Sequence, residues 1–280
     1  MRELDPVHRR LRSFFHRRVR PLYNNGQRRQ RRFCKNALTL TDYLNPQSVV
    51  GGRFVRLGSR FDGGYVMISP TQSAAVAYSL GIGGNIDWDR DMADLVAKVF
   101  QYDHTVQDPA PEDSRMVFSR IGVGGVEQSS AMLKTLDALI RENGHKGRSD
   151  LVLKMDVEGF EWHVFSTIDD ETLSQFTQIA VELHGLLRLG SKPVWRRVEM
   201  ALGNLTRHHV PIHVHANNWA STVYLNGRQF PDVLEVTLLR KDHATFAPNN
   251  RLFPTELDAP NNPNASEIPL GLFHRAEFQD

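Results

Sequence analysis

Ala74–Leu80 reads AAVAYSL and runs directly into Gly81-Ile82-Gly83-Gly84, and the reading of this stretch decides the fold. A short apolar run closed by glycines has the length and punctuation of a buried strand ending in a tight turn. After it, Trp88, Met92, Leu95, Val96 and Val99 recur at helical spacing, with Asp87, Asp89 and Asp91 where a helix N-terminus favours negative charge. Val99–Tyr102 then reads as a second strand, ending at Asp103. Strand, glycine turn, helix and strand in this order form the opening unit of a parallel sheet.

The same alternation continues outward. Val117–Val123 reads as a third strand, and Glu127–Asn143 as a helix carrying Leu133, Leu136, Leu139 and Ile140, stopped at Asn143-Gly144. Leu151–Met155 is a fourth strand, residues 160–176 a crossover helix and Gln178–Leu183 a fifth strand. Ser191 is placed to cap a helix with Val194, Val198, Leu202 and Leu205 on one face. Pro211–His215 and Leu234–Arg240 complete the set, and the proline-rich tail after Phe246 is expected to wrap the body without regular structure. Seven strands with interleaved helices predict an α/β fold, a doubly wound and mostly parallel seven-stranded sheet.

The 280 residues are 40% hydrophobic and 24% charged, the balance of a soluble globular chain. No apolar run is long enough to cross a bilayer, and no signal-peptide core follows the start. Cys34 is the one cysteine, which excludes an internal disulfide framework and leads us to expect a cytoplasmic setting. The net charge of +2 hides an asymmetry. Residues 1–35 hold twelve Arg or Lys against Glu3 and Asp5, and the rest of the chain is acidic by eight charges. Within the arm, Leu11, Phe14, Phe15, Val19 and Leu22 form a helical stripe, and 21–30 reads as a break at Asn24-Asn25-Gly26. Such a stretch can pack on its own domain, lie on an anionic membrane surface or bind a polyanion.

In an open α/β sheet, ligands bind outside the carboxyl ends of the strands. Asp103 lies 22 residues after Gly81, a spacing shared by nicotinamide and S-adenosylmethionine sites. Ile86 stands where a dinucleotide fingerprint needs its third glycine, which disfavours a pyrophosphate seat.

Lys154-Met155-Asp156-Val157-Glu158-Gly159-Phe160-Glu161 resembles the signature of the FkbM family of S-adenosylmethionine-dependent methyltransferases. Arg56–Tyr65, Tyr78–Gly84, Thr135–Asp137 and Val181–His184 agree with it, so the resemblance covers about 50–240. It implies a class I methyltransferase domain, taken as 46–280 behind a basic arm or helix of residues 1–45. It further implies O-methylation of a glycan or other hydroxylated small molecule. The cofactor residues expected are Gly81, Ile82, Gly83, Gly84, Asn85 and Asp103, with Asp62 and Gly63 as a lip over the methionine end and Arg56 or Arg60 reaching its carboxylate.

Methyl transfer to a hydroxyl needs an aligned acceptor and a route for the proton. Lys154, Asp156, His184 and His215 are the candidate catalytic residues, all at strand ends. Asp156, Glu182 and His215 could hold a divalent cation such as magnesium or manganese, while His184 or His215 could act as a plain general base. Core placement is the competing reading for His213, and Asn217, Asn218 and Trp219 could meet a sugar-like acceptor or form a simple turn. Nucleic acid is the less favoured acceptor, because the chain has no Asp/Asn-Pro-Pro-aromatic motif and no Pro-Cys nucleophile. A non-catalytic module anchored by the arm is a further alternative.

Overall fold

The computed structural model describes residues 20–69 and 76–278. Its centre is one seven-stranded sheet built from β1 (Val76–Leu80), β2 (Lys98–Tyr102), β3 (Met116–Ser119), β4 (Leu151–Met155), β5 (Phe176–Leu183), β6 (His209–Ala216) and β7 (Leu234–Arg240). The spatial order is β6-β7-β5-β4-β1-β2-β3. All neighbours pair in parallel except β7, which runs antiparallel to both β5 and β6. The order reverses between β1 and β4, so a cleft is expected at their carboxyl ends. The fold is therefore the doubly wound, mostly parallel sheet of the class I methyltransferase type.

The strands are buried on both faces, and period-two alternation assigns their side chains to two cores. Leu151, Leu153 and Met155 join one core with Leu136, Leu139, Ile140, Phe165 and Leu202. Val152, Ala77, Val99 and Ala180 join the other, with Trp88, Met92, Tyr65 and Met67. The helices are α1 (Arg20–Tyr43), α2 (Asp87–Ala93), α3 (Leu136–Glu142), α4 (Glu161–Thr167), α5 (Asp170–Ser174) and α6 (Lys192–His208). A hairpin of Phe54–Gly58 and Gly64–Ile68 covers the second core.

Several local expectations are corrected. The break expected at 21–30 does not occur, because α1 runs through it. One glycine costs a helix about 1 kcal/mol, and the later turns of α1 outweigh that by burying Ala37 and Leu40, with Leu44 just beyond. The stripe of Leu11, Phe14, Phe15 and Val19 lies outside the described residues, as does the side chain of Leu22. The helix expected over Glu127–Asn143 is confined to α3, where Thr135 Oγ1 accepts from Ala138 N; Leu133–Lys134 instead pairs with Gly122–Val123. That pair also ends β3 early, at Ser119 rather than Val123. The crossover 160–176 is two helices, since Asp169 takes Thr172 N and starts a new one. Ser191 sits at the N-cap of α6 without capping it through its side chain.

The tail wraps the body as expected and buries Phe253, Ile268, Leu270, Phe273 and Phe278, with Phe246–Pro248 added as a strand beside Gln47–Val49.

Candidate active site

A cavity of about 420 Å³ opens at the β1/β4 reversal, lined by the glycine turn, the ends of β2 and β4, and the tip of the hairpin. Its floor is the turn after β1. Gly81 adopts φ +71°, and a Cβ there would lie against the Asp156 carbonyl oxygen, so this close crossing of β1 and β4 requires glycine. Gly83 and Gly84 face open space, leaving backbone exposed to a ligand.

Asp103 ends β2 and ties this turn. Its Oδ2 accepts from Ile82 N at 3.1 Å and Gly83 N at 3.0 Å, and its Oδ1 from Thr105 N at 2.7 Å and Thr105 Oγ1 at 2.6 Å. Burial opposes its charge, but the Thr105 and glycine-turn donors outweigh burial and hold its carboxyl below the usual range. Lys154 is buried with Nζ 2.6 Å from the Gly81 carbonyl oxygen, so it braces the turn from beneath. Asp62 and Gly63 line the cavity, with Asn85 Nδ2 donating to the Asp62 carbonyl at 3.0 Å. Arg56 is not available to a ligand carboxylate, because its guanidinium donates to the Ser59 and Phe61 carbonyls of its own hairpin loop.

The second half of the site is built on the loop after β4. Glu158 takes φ +54° and Gly159 φ +100°, which turns Val157 N and Gly159 N onto Glu161 Oε1 at 2.9 and 3.2 Å. Glu161, in the first turn of α4, is completely buried. The same Oε1 lies 3.1 Å from His184 Nδ1 at the end of β5, while Trp162 Nε1 donates to the His184 carbonyl at 2.7 Å. The imidazole is thereby held with Nε2 directed toward Asp156 Oδ1, 3.9 Å away, and Glu158 Oε2, 3.5 Å away. Burial pulls the His184 pKa down, but the hydrogen bond and charge of Glu161, with Glu182 and Asp156, raise it to about 9. Asp156 Oδ1 and Glu161 Oε2 are buried without a hydrogen-bond partner.

The expected cation set of Asp156, Glu182 and His215 is not gathered. Glu182 Oε1 accepts from Asn217 Nδ2 at 2.6 Å, and burial together with the Asp156 and Glu235 charges raises its pKa well above normal. His215 lies two strands beyond β5, clamped between Glu235 Oε2 at 2.9 Å and Glu267 Oε2 at 3.1 Å. It secures the tail to the sheet rather than reaching the cavity. The trio that does converge is Asp156, Glu161 and His184, whose donor atoms all lie within 4.8 Å of one another. His213 is a buried partner of Asp258 at 2.8 Å, as its core reading required. Asn218 holds the tail through the carbonyls of Asn262, Ala265 and Ser266, and Trp219 is 61% exposed.

Sequence reasoning assigned no role to Glu161, although it quoted it within the signature. The readable signal was a glutamate opening a helix just after a glycine, the position that satisfies loose backbone donors. Thr105 was missed as well, two residues past the strand-ending Asp103.

The cavity has the dimensions of a small-ligand site. Its volume lies in the usual range for such sites, its glycine turn offers bare backbone, and both signs of charge line it. Solved structures of similar fold include an rRNA methylase from Streptococcus thermophilus (11% identity, 60% of this chain and 88% of that one, TM-score 0.36). A fibrillarin pre-rRNA processing protein from Methanococcus jannaschii (10%, 62% and 70%, 0.40) and the N-methyltransferase NodS from Bradyrhizobium japonicum (10%, 61% and 89%, 0.35) are others. Among curated proteins none matches the chain. Residues 74–208 match the family profile described as the methyltransferase FkbM domain, a span that opens just before β1 and closes with α6. The signature residues of that matched span are assembled around one cavity, and the match supports a methyltransferase.

Proposed function

We propose that the protein transfers a methyl group from S-adenosylmethionine to a hydroxyl of a glycan or other hydroxylated small molecule, with His184 accepting the hydroxyl proton. The observation that carries this reading is the Glu161–His184 pair beside the cavity: a buried carboxylate fixes Nδ1, and Nε2 faces the rim at Asp156. That is how a general base is oriented. S-adenosylmethionine supplies a methyl group on a sulfonium, whose departure leaves a neutral thioether. The chain's part is to position and to take a proton. Gly81–Asn85, Asp62 and Gly63 form the cofactor seat, and Asp103 meets the ribose side while keeping the turn closed. Asp156, whose side chain is 25% exposed and lines the cavity, is the acceptor available to orient an incoming hydroxyl. Lys154 acts on the turn and through it, as a positioning residue.

The test has two parts. Calorimetric titration should show binding of S-adenosylmethionine and S-adenosylhomocysteine and none of NAD; binding of NAD alone would overturn the reading. Transfer of labelled methyl to a panel of hydroxylated acceptors should fall about 10²–10⁴-fold in His184→Ala with cofactor affinity retained. Inhibition by chelators, reversed by magnesium or manganese, would instead assign Asp156, Glu161 and His184 to a cation that activates the hydroxyl.

A further inference from the structure

The basic charge of the arm does not end with the arm. Along α1, Arg28, Arg29, Arg31 and Lys35 are exposed and Arg32 is half-buried, while the opposite side of the helix packs on the body through Phe33, Ala37 and Leu40. Arg32 Nε donates to the Gly190 carbonyl at 3.1 Å, Asn36 Nδ2 donates to the Leu189 carbonyl at 2.8 Å, and Gly190 sits against the backbone of Arg29. These contacts bring the start of α6 and the turn before it alongside α1. That region adds Arg188, Lys192 and Arg196, all exposed. Lys192, Arg196 and the half-exposed Met200 follow one another at four-residue steps and so form one stripe on α6. Among the described residues none of these eight cations is in an ion pair, and Glu199 is the one acid on α6.

We infer that α1, the turn at 186–191 and the exposed stripe of α6 form one composite face that docks on an anionic phospholipid surface. Eight cations outside any ion pair, on adjoining described elements, are complementary to a negatively charged leaflet. A single-stranded nucleic acid is a poorer match, since it is held by aromatic platforms within a basic groove. The exposed aromatic residues here, Phe160, Trp219 and Tyr224, are on other elements, and Phe33 is turned inward against Phe230. Arg188 follows His184 by four residues, within about 14 Å of chain, so docking would bring the rim of the active site close to the membrane.

Co-flotation of the full chain with phosphatidylcholine vesicles, with and without phosphatidylglycerol, tests this. The chain should float only with the anionic vesicles and be released by salt. The body variant Arg188→Glu/Lys192→Glu/Arg196→Glu, with the arm intact, should lose about a hundredfold in partitioning. Unchanged melting temperature and cofactor affinity would show that this variant remains folded. Wild-type flotation by a variant that has kept its fold would overturn the composite face and leave binding to the arm alone. Retention on heparin or RNA without flotation on anionic vesicles would overturn the lipid assignment in favour of a soluble polyanion.

Discussion

At the scale of single residues, Glu161 does two jobs with one oxygen. Its Oε1 gathers the backbone donors of the 157–159 loop and holds the His184 ring. A base must be unprotonated to act, and His184 has a pKa raised to about 9, so kcat/KM should climb with pH through a midpoint near 9 and level off above it. Glu161→Gln removes the strongest attraction on the imidazolium, so the midpoint should move down toward the ordinary value of about 6.5 while the plateau falls. An unshifted profile would remove Glu161 from this role. Asp103 works on the other side of the cavity, where protein donors occupy both of its oxygens. Asp103→Ala should weaken cofactor binding about ten- to a hundredfold, measured by titration calorimetry. It should also loosen the glycine turn, seen as faster hydrogen exchange at Ile82 and Gly83; unchanged affinity in the folded variant would sink the ribose assignment.

Among the elements, α1 has the most altered meaning. Read locally, its N-terminal half is a polar, glycine-containing stretch that should break. In three dimensions Ala37 and Leu40 are fully buried, together with Leu44, and Phe33 packs edge-on against Phe230. Leu40→Ala should therefore cost about 2–5 kcal/mol in urea unfolding, the range for truncating a buried leucine. A loss below about 0.5 kcal/mol would mean that α1 is only an appendage. The β1 and β4 ends make a comparable demand on Gly81, whose positive φ and contact with the Asp156 carbonyl leave no room for a side chain. Gly81→Ala should thus impair both folding yield and cofactor binding.

For the molecule as a whole, histidines set the pH range of stability. His184 and His215 have folded pKa values raised to about 9 and about 10, so the stability they contribute is complete below about 6.5 and disappears as pH rises through those values. His209 is the opposite case: burial above all lowers it to about 4, so protonation of the unfolded chain erodes stability as pH falls from about 6.5 toward 4. Melting temperature should accordingly peak near pH 6.5 and decline on both sides. Glu267→Gln removes one partner of His215 and should flatten the alkaline limb. An identical alkaline limb in that variant would show that the tail clamp carries none of it.

The sheet was legible in the sequence because its signals are local. An apolar run of strand length, a glycine turn and a strand-ending acid announce themselves within a few residues, as β1, Gly81–Gly84 and Asp103 do. The signature around Asp156 likewise marked the end of β4 that lines the cavity. Which strand-end groups meet was not legible, because alternation along a strand says which face a side chain takes but not which strand lies next to it. His184 and His215 look equivalent in sequence; the insertion of β7 between β5 and β6 separates them, leaving His184 with Glu161 at the cavity and His215 under the tail. Helix lengths were misjudged for the same reason: apolar spacing persists across a helix boundary, while the cap that starts a new helix there, such as Asp169 on Thr172 N, competes through a single hydrogen bond. Fold class therefore followed from short-range pattern, and the composition of the site from long-range packing that only the tertiary structure decides.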